Sequence, residues 1–363
     1  MAERPASEPD SAHQRRPRYR GKNPRRFEEK YKERDPERYA ETVVKVLAAG
    51  KTPAGTHRPI MVAEVLEALA PRPGEVAVDC TLGYGGHAEE ILKRLQPGGR
   101  LVGLDADPIE LPKTEARLRA LGFAADACST HRSNFAGLPQ VLASVAAVYD
   151  RRTPGSDSLI TGARADIILA DLGVSSMQLD DPTRGFSLKL DGPLDLRMNP
   201  RRGHPASLFL QKLDAAALAQ LLDDNSDEPH AAALGAALAG KFFETTMPFA
   251  TAIRAALPRV KEEERELSVR RVFQAIRIAV NDEFSALDAL LRVLPDCLNP
   301  GGRVAILTFH SGEDRRVKKA FQEGRRGGLY ESIAEDVIRP TPDERHANPR
   351  SAAAKLRWAR RVS

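Results

Sequence analysis

The run Val76-Ala-Val-Asp-Cys-Thr-Leu-Gly-Tyr-Gly-Gly-His87 joins an apolar segment to a glycine turn and then to the helical spacing of Ala88 to Leu95. An apolar strand without alternation has to be covered on both faces, so this order commits the chain to helices packed on a buried parallel sheet. Gly83, Gly85 and Gly86 permit a tight turn and close approach of backbone to a ligand. The helix behind them offers unpaired amides and the positive end of its dipole. Asp105 ends the next apolar run, Leu101-Val-Gly-Leu-Asp. At a strand tip its carboxylate can accept from both hydroxyls of a ribose, so the stretch reads as a nucleotide-cofactor loop.

The loop alone leaves the cofactor open. Gly83-x-Gly85-x-x-Ala88 also fits the dinucleotide fingerprint, so a nicotinamide enzyme competes with an S-adenosylmethionine enzyme, and glycines that merely shape a turn are the third alternative. Asp79 adds a carboxylate ahead of the glycines, where a cationic group such as an amino-acid ammonium fits and a pyrophosphate does not.

With 363 residues there is room for a large α/β domain and a smaller one. Cys80, Cys128 and Cys297 are odd in number and far apart, with no Cys-x-x-Cys pair, which argues against a disulfide framework and against a metal site. A reducing cytoplasm is the expected location. No apolar run reaches the ~20 residues of a membrane span, and the N-terminus has no secretory signal. The net charge of +5 is unevenly spread: Arg15 to Arg26 holds no acid, and Lys355-Leu-Arg-Trp-Ala-Arg-Arg361 is similar. Basic runs interleaved with aromatics suit an RNA backbone, the alternative being solvated tails without a partner.

Residues 1–34 read as a basic arm without regular structure, and residues 35–56 as a short helix and linker. A helix from about Met61 to Leu69 leads into the glycine unit. Strands are expected at Leu101 to Asp105, weakly at Phe123 to Ala127, at Ala165 to Asp171, and in the run from Leu298 to His310. A helix is expected from Pro108 to about Leu121, and residues 150–163 read as an exposed loop. An Ala- and Leu-rich region without strand signals implies a helical substrate-recognition domain, 182–268, inserted into a sheet domain made of 57–181 and 269–363. A long helical stretch from Val269 to Leu298 returns the chain to the sheet. Five alternating β and α units give a doubly wound, Rossmann-like α/β sheet. Its ligand belongs at the carboxyl ends of the strands, where Asp79, Asp105, Asp171 and His310 fall.

Several blocks then share one order: Gly83-Tyr-Gly-Gly-His87, Leu104-Asp-Ala-Asp107, Asp171-Leu-Gly-Val-Ser-Ser-Met-Gln-Leu-Asp180, Arg184-Gly-Phe-Ser187, Asp191-Gly-Pro-Leu-Asp-Leu-Arg-Met198, Phe273-Gln-Ala-Ile-Arg-Ile278, Phe309-His-Ser311 with Glu313-Asp-Arg315, and Asn348-Pro-Arg-Ser351. From about His57 to Trp358 the chain resembles the bacterial 16S rRNA cytosine-N4 methyltransferases of the small-subunit methyltransferase H family. The resemblance implies a class I S-adenosylmethionine-dependent fold, with methyl transfer to N4 of a decoding-centre cytidine, position 1402 in the usual rRNA count. The partner it implies is 16S rRNA or the small ribosomal subunit.

Carried over by motif, the cofactor residues are Gly85, Gly86, His87, Asp105, Phe135, Asp171 and Gln178. The residues themselves support most of these: Asp105 suits ribose hydroxyls, Phe135 an adenine face, and the glycine amides the methionine end. Gln178 rests on the resemblance alone. Asp171 and His310 are candidates to orient the acceptor amine or take its proton. Gly185, Asp195 and Arg197 form a loop that either closes over a base or links into the helical domain, and Arg270, Arg271 and Arg277, on a helix near the roof, either meet phosphates or form a solvated basic face. Against the family pattern, Asn199 replaces an acid, Gly312 an aliphatic residue, and Asn225 to Glu228 a Tyr-Gly-Glu-Glu element. These departures bear on RNA docking and leave the cofactor residues intact. A methyltransferase for another RNA or DNA amine, and a non-catalytic RNA-binding assembly protein, are the competing functions.

Overall fold

The computed structural model describes residues 59–152 and 164–363, with the side chains of 149–152 left aside. The basic arm, the expected helix within 35–56 and most of the 150–163 loop lie outside the described residues.

Seven strands form one sheet: β1 (Val76–Asp79), β2 (Arg100–Asp105), β3 (Cys128–Arg132), β4 (Ala165–Asp171), β5 (Leu298–Thr308), β6 (Tyr330–Ile333) and β7 (Lys355–Arg361). Their order is β3-β2-β1-β4-β5-β7-β6. β1 to β5 run parallel, and β7 is antiparallel to both β5 and β6. The fold is therefore the expected Rossmann-like α/β sheet with two further strands. All of β1 and nearly all of β4 are buried, which is why both lack alternation. Two apolar layers cover the two faces, one containing Val78, Leu104, Ile168, Leu290 and Ile306, the other Leu69, Ala77, Ile91, Leu101 and Leu307.

Three local expectations are corrected. β3 begins at Cys128, not Phe123; the Cys128 and Ala127 amides both donate to the Ala124 carbonyl, so 124–127 is a turn. As the edge strand, Cys-Ser-Thr-His-Arg is half exposed and carries no apolar run to announce it. The stretch expected as one helix from Val269 is two helices, Glu262–Asn281 and Glu283–Cys297, broken at Asp282 with φ of 53°. The basic C-terminal run is not a tail but β7, held inside the sheet. Its cations are neutralised there: Arg357 meets Asp314 at 2.6 Å, Lys355 meets Asp314 at 3.5 Å, Arg360 meets Glu331 at 2.9 Å, and Arg361 donates to the Leu298 carbonyl.

Between β4 and β5, helices Ala206–Gln211, Ala215–Ser226, Ala231–Leu238 and Thr246–Ala256 build a third core around Phe249. Phe243 and Phe273 each bring a ring centroid within 5.1 Å of it. Val269, Val272, Phe273 and Ile276 of the Glu262–Asn281 helix pack into this core. The same helix carries Arg270, Arg277 and Asn281 to the sheet rim, so it links the helical layer to the strand ends.

Candidate active site

The strand order reverses at β1, whose neighbours are β2 and β4, and the crevice at such a point is where open α/β sheets take ligands. A cavity of about 710 Å³ opens there. Segments following β1, β2, β3, β4 and β5 all reach it, and the helix of Arg270 and Arg277 roofs it. Of the residues expected from sequence, Gly85, Gly86, His87, Asp105, Phe135, Asp171 and Gln178 all line this one cavity.

The glycine turn is set by backbone demands. Gly85 has φ of 83°, and a Cβ there would stand 2.9 Å from Thr114 Cγ2. At Gly86 a Cβ would meet the Pro59 ring at 2.9 Å. The Gly85 amide is used within the turn, donating to the Leu82 carbonyl at 2.7 Å. The helix begins at Gly86, so the amides of Gly86 and His87 belong to its first turn and have no intrahelical acceptor. Unlike the Gly85 amide, these two have no acceptor within the turn.

Asp105 holds the neighbouring loops: Oδ2 accepts from the Gly83 amide at 2.7 Å and Oδ1 from the Asp107 amide at 2.8 Å. Each oxygen keeps a lone pair for the cavity. Burial pushes its pKa up to about 6 although these two amides favour the ionised form. Asp171 is pushed further, to about 7, by burial and then by the nearby Glu313 carboxylate. Its Oδ1 is buried without a hydrogen-bond partner among the described residues. Oδ2 lies 3.6 Å from His87 Nδ1. His87 Nε2 sits 2.9 Å from the Ile60 carbonyl and must donate to it, which leaves Nδ1 as a bare acceptor. Burial lowers the His87 pKa, so a neutral ring faces Asp171.

Asp79 does not take the place the sequence suggested. It is buried behind the turn, away from the cavity wall, where Oδ1 accepts from the Thr81 amide at 3.0 Å. Burial raises its pKa to about 6. The carboxylate that meets the cavity in its stead is Asp171. His310 also stands apart from the wall: its Nδ1 caps the helix Ser311–Arg326 by accepting from the Glu313 amide, and its Nε2 is 3.2 Å from Glu313 Oε1. Glu313 lines the cavity; burial would raise its pKa, but His310, Arg277 and the Phe309 amide together bring it below the usual value. His310 therefore acts on the site through Glu313 and the helix start.

One cluster was not anticipated. Asp107, 1% exposed, takes Gln178 Nε2 at 2.9 Å and Arg184 Nη1 at 2.8 Å on the same oxygen. Gln178 Oε1 accepts from the Ser175 amide in a capping box, and Arg184 reaches the Met198 carbonyl at 2.8 Å. The segment after β2, the segment after β4 and the loop into the helical layer are thereby tied at one buried acid. Gln178 thus has a positioning task at the wall, a role its sequence position did not reveal. The Leu104-Asp-Ala-Asp107 block carried the only available signal.

Gly185, Asp195 and Arg197 do not face the cavity. A Cβ on Gly185 would overlap the Pro193 carbonyl oxygen at 2.1 Å, and Arg197 binds Asp195 through two nitrogens at 2.6 and 2.8 Å. They shape the loop that brings Met198 to the mouth. Among the described residues, no three His, Cys, Asp or Glu side chains could hold a metal, and no helix is long and apolar enough to cross a membrane.

Comparison with known proteins places this geometry in a family. A protein from Lachnoclostridium phytofermentans named ribosomal RNA small subunit methyltransferase H 1 is 44% identical, covering 98% of this chain and 95% of its own. One from Alkaliphilus metalliredigens, ribosomal RNA small subunit methyltransferase H 2, is 45% identical over 95% and 97%. Among solved structures, an S-adenosylmethionine-dependent O-methyltransferase from Thermotoga maritima aligns at TM-score 0.38 and 10% identity, covering 88% of this chain and 71% of its own. The MraW methylase family matches residues 54–362, and the chain belongs to it.

Proposed function

We propose that the chain transfers a methyl group from S-adenosylmethionine to small-subunit ribosomal RNA, and that the acceptor is N4 of the decoding-centre cytidine at position 1402. The observation that carries this reading is the unpartnered Oδ1 of Asp171, buried at the strand switch beside a glycine cradle. A buried carboxylate oxygen without a donor is costly unless a ligand completes it. The donor offers an ammonium and a positively charged sulfonium, both absent from a nicotinamide dinucleotide. The names of the relatives from Lachnoclostridium and Alkaliphilus support the RNA substrate.

In this reading the Gly86 and His87 amides and Asp171 hold the methionine end, Asp105 the ribose hydroxyls, and Phe135 the adenine face. Gln178 fixes the wall through Asp107. The bound donor supplies an already activated methyl group, so the chain's contribution is alignment, which is worth up to ~7–11 kcal/mol in favourable cases. The N4 lone pair of cytosine is delocalised into its ring, and a proton must leave as the methyl arrives. Asp171, on the cavity wall with an oxygen free of protein donors among the described residues, is placed to accept a hydrogen bond from that amine and then its proton. The target base has to leave its stack to enter the cavity. Small subunits are assembled in the cytoplasm, which is the location this activity requires.

The test is transfer of labelled methyl from S-adenosylmethionine to small subunits lacking the modification, with nucleoside mass spectrometry to find the label. N4-methylcytidine at position 1402 is the expected product. Label on another nucleoside would keep the methyl chemistry and replace the acceptor, and cofactor binding without incorporation would overturn the enzymatic reading.

A further inference from the structure

Arginines around the cavity mouth divide into two groups. Arg277 is held by Glu283 at 2.8 Å, Arg271 by Glu264 at 2.8 Å, and Arg350 by Asp180 at 2.6 Å. Arg270 lines the same mouth, is exposed, and has no carboxylate within 4 Å among the described residues. Its near neighbour Glu266 is already taken by both edges of Arg254, at 2.5 and 2.9 Å. Arg201 and Arg202 are likewise exposed and have no ion pair among the described residues.

These three belong to one rigid rim. Met198 lines the mouth, and its amide donates to Asn281 Oδ1 at 2.7 Å on the helix that carries Arg270. Asn281 Nδ2 in turn donates to the Leu196 carbonyl at 2.7 Å. Beyond Met198 the chain turns at Asn199, whose Oδ1 accepts from the Arg201 amide at 3.0 Å and whose carbonyl accepts from the Arg202 amide at 3.1 Å. Arg197 closes the turn from the other side, donating to the Gly203 carbonyl at 3.1 Å. The backbone is fixed at both ends while the two guanidinium groups point to no protein partner.

We infer that Arg270, Arg201 and Arg202 form a phosphate-binding rim that grips the RNA strand on either side of the base entering the cavity, a reading that rests on the proposed transfer to RNA. Guanidinium groups match phosphate oxygens with paired donors, and each neutralised phosphate releases counterions. Turning the base into the cavity draws its flanking phosphates to the mouth, which Arg270 and Met198 line, with Arg201 and Arg202 on the turn that follows Met198. Asn199 suits this role: it caps the turn as an aspartate would and adds no negative charge beside Arg201 and Arg202.

The experiment measures binding of the full chain to deproteinised 16S rRNA across a salt series. The variant is Arg201→Ala/Arg202→Ala/Arg270→Ala, and the control is Lys318→Ala/Lys319→Ala/Arg326→Ala, which removes equal charge from an exposed helix face away from the mouth. The rim variant should lose about tenfold or more in affinity, and its slope of log affinity against log salt should flatten by about 2, at roughly 0.7 per single-strand phosphate. With small subunits as substrate, KM should rise and kcat hold. Thermal unfolding midpoints of both variants should match the parent, since all six side chains are at the surface. An equal loss in the control, or no change in the rim variant, would overturn the rim. A parent protein that binds RNA with this slope and transfers no methyl would overturn the proposed function and leave the rim standing.

Discussion

On the sheet side, half-buried Asp105 and Asp171 line the cavity and Asp79 lies buried behind the turn; none has a Lys or Arg within 4 Å among the described residues, and desolvation lifts the pKa of each. On the helical side, Arg277, Arg271 and Arg254 each grip a glutamate at 2.5–2.8 Å. Paired cations dominate the helical wall, with Arg270 the exception, whereas the acids of the sheet wall have no cation beside them among the described residues. Acids without cations are either neutralised by protons or complemented by a cationic ligand. Under the proposed function the S-adenosylmethionine donor would supply that charge to Asp171, with the sheet wall as the binding wall and the helical wall as its support.

Asp107 and Arg184 join the two walls, so breaking that pair is the harshest test of the comparison. Asp107→Ala would leave a buried guanidinium without its anion and should cost about 3–5 kcal/mol of stability by denaturant unfolding. A loss below about 1 kcal/mol would mean that the walls are joined elsewhere. Asp105→Ala comes next. It should weaken S-adenosylmethionine binding by about 100-fold in calorimetry, and lower stability by about 1–3 kcal/mol because the Gly83 and Asp107 amides lose their acceptor. Unchanged affinity would remove the ribose role.

The pH dependence sharpens the contrast. Asp105 and Asp171 have folded pKa values of about 6 and about 7 against 3.8 for an ordinary aspartate, so without ligand the folded chain holds protons that the unfolded chain has released. Their contribution to stability is therefore present at low pH and lost as pH rises from about 4 to 7. A cationic donor reverses this by favouring the ionised forms. Its affinity should climb as pH rises from 5.5 to 7.5, up to about tenfold per unit for each proton released. Calorimetry in buffers of different ionisation enthalpy would count those protons, and Asp171→Asn should flatten the climb. Affinity that falls with rising pH would contradict the assignment. The smallest effect belongs to the helical wall: Arg254→Ala breaks a half-exposed pair with Glu266 and should cost about 1 kcal/mol or less by thermal unfolding, with donor affinity unaltered.

The binding wall was legible in the sequence because its parts are local. A buried strand, a glycine turn and a helix start lie within twelve residues, and Asp105 and Asp171 end apolar runs that can only be strands. The helical wall was legible as composition but not as contacts. The sequence separated 182–268 from 269–363, whereas Val269 to Ile276 pack in the helical core while Arg270 and Arg277 face the cavity. A helix with two buried faces shows no boundary in its periodicity. β3 was placed a few residues early and β7 was missed for the opposite reason, since polar and charged side chains hid their strand character.

By itself, then, the sequence determined the α/β class, the strand-switch site and the residues that line it, because each is written in short-range patterns of burial, backbone freedom and charge. Which of those residues face a ligand was decided only by tertiary structure. Asp79 and Asp171 are alike as strand-end acids, yet one is turned behind the loop and the other opens on the cavity. Arg270 and Arg271 are neighbours on one helix, yet only Arg271 has a carboxylate placed to neutralise it. Lys355 to Arg361 reads as a basic tail until Asp314 and Glu331, distant in sequence, are brought beside it. Charge is a property of the residue, whereas its availability depends on partners that the chain supplies only once it has folded.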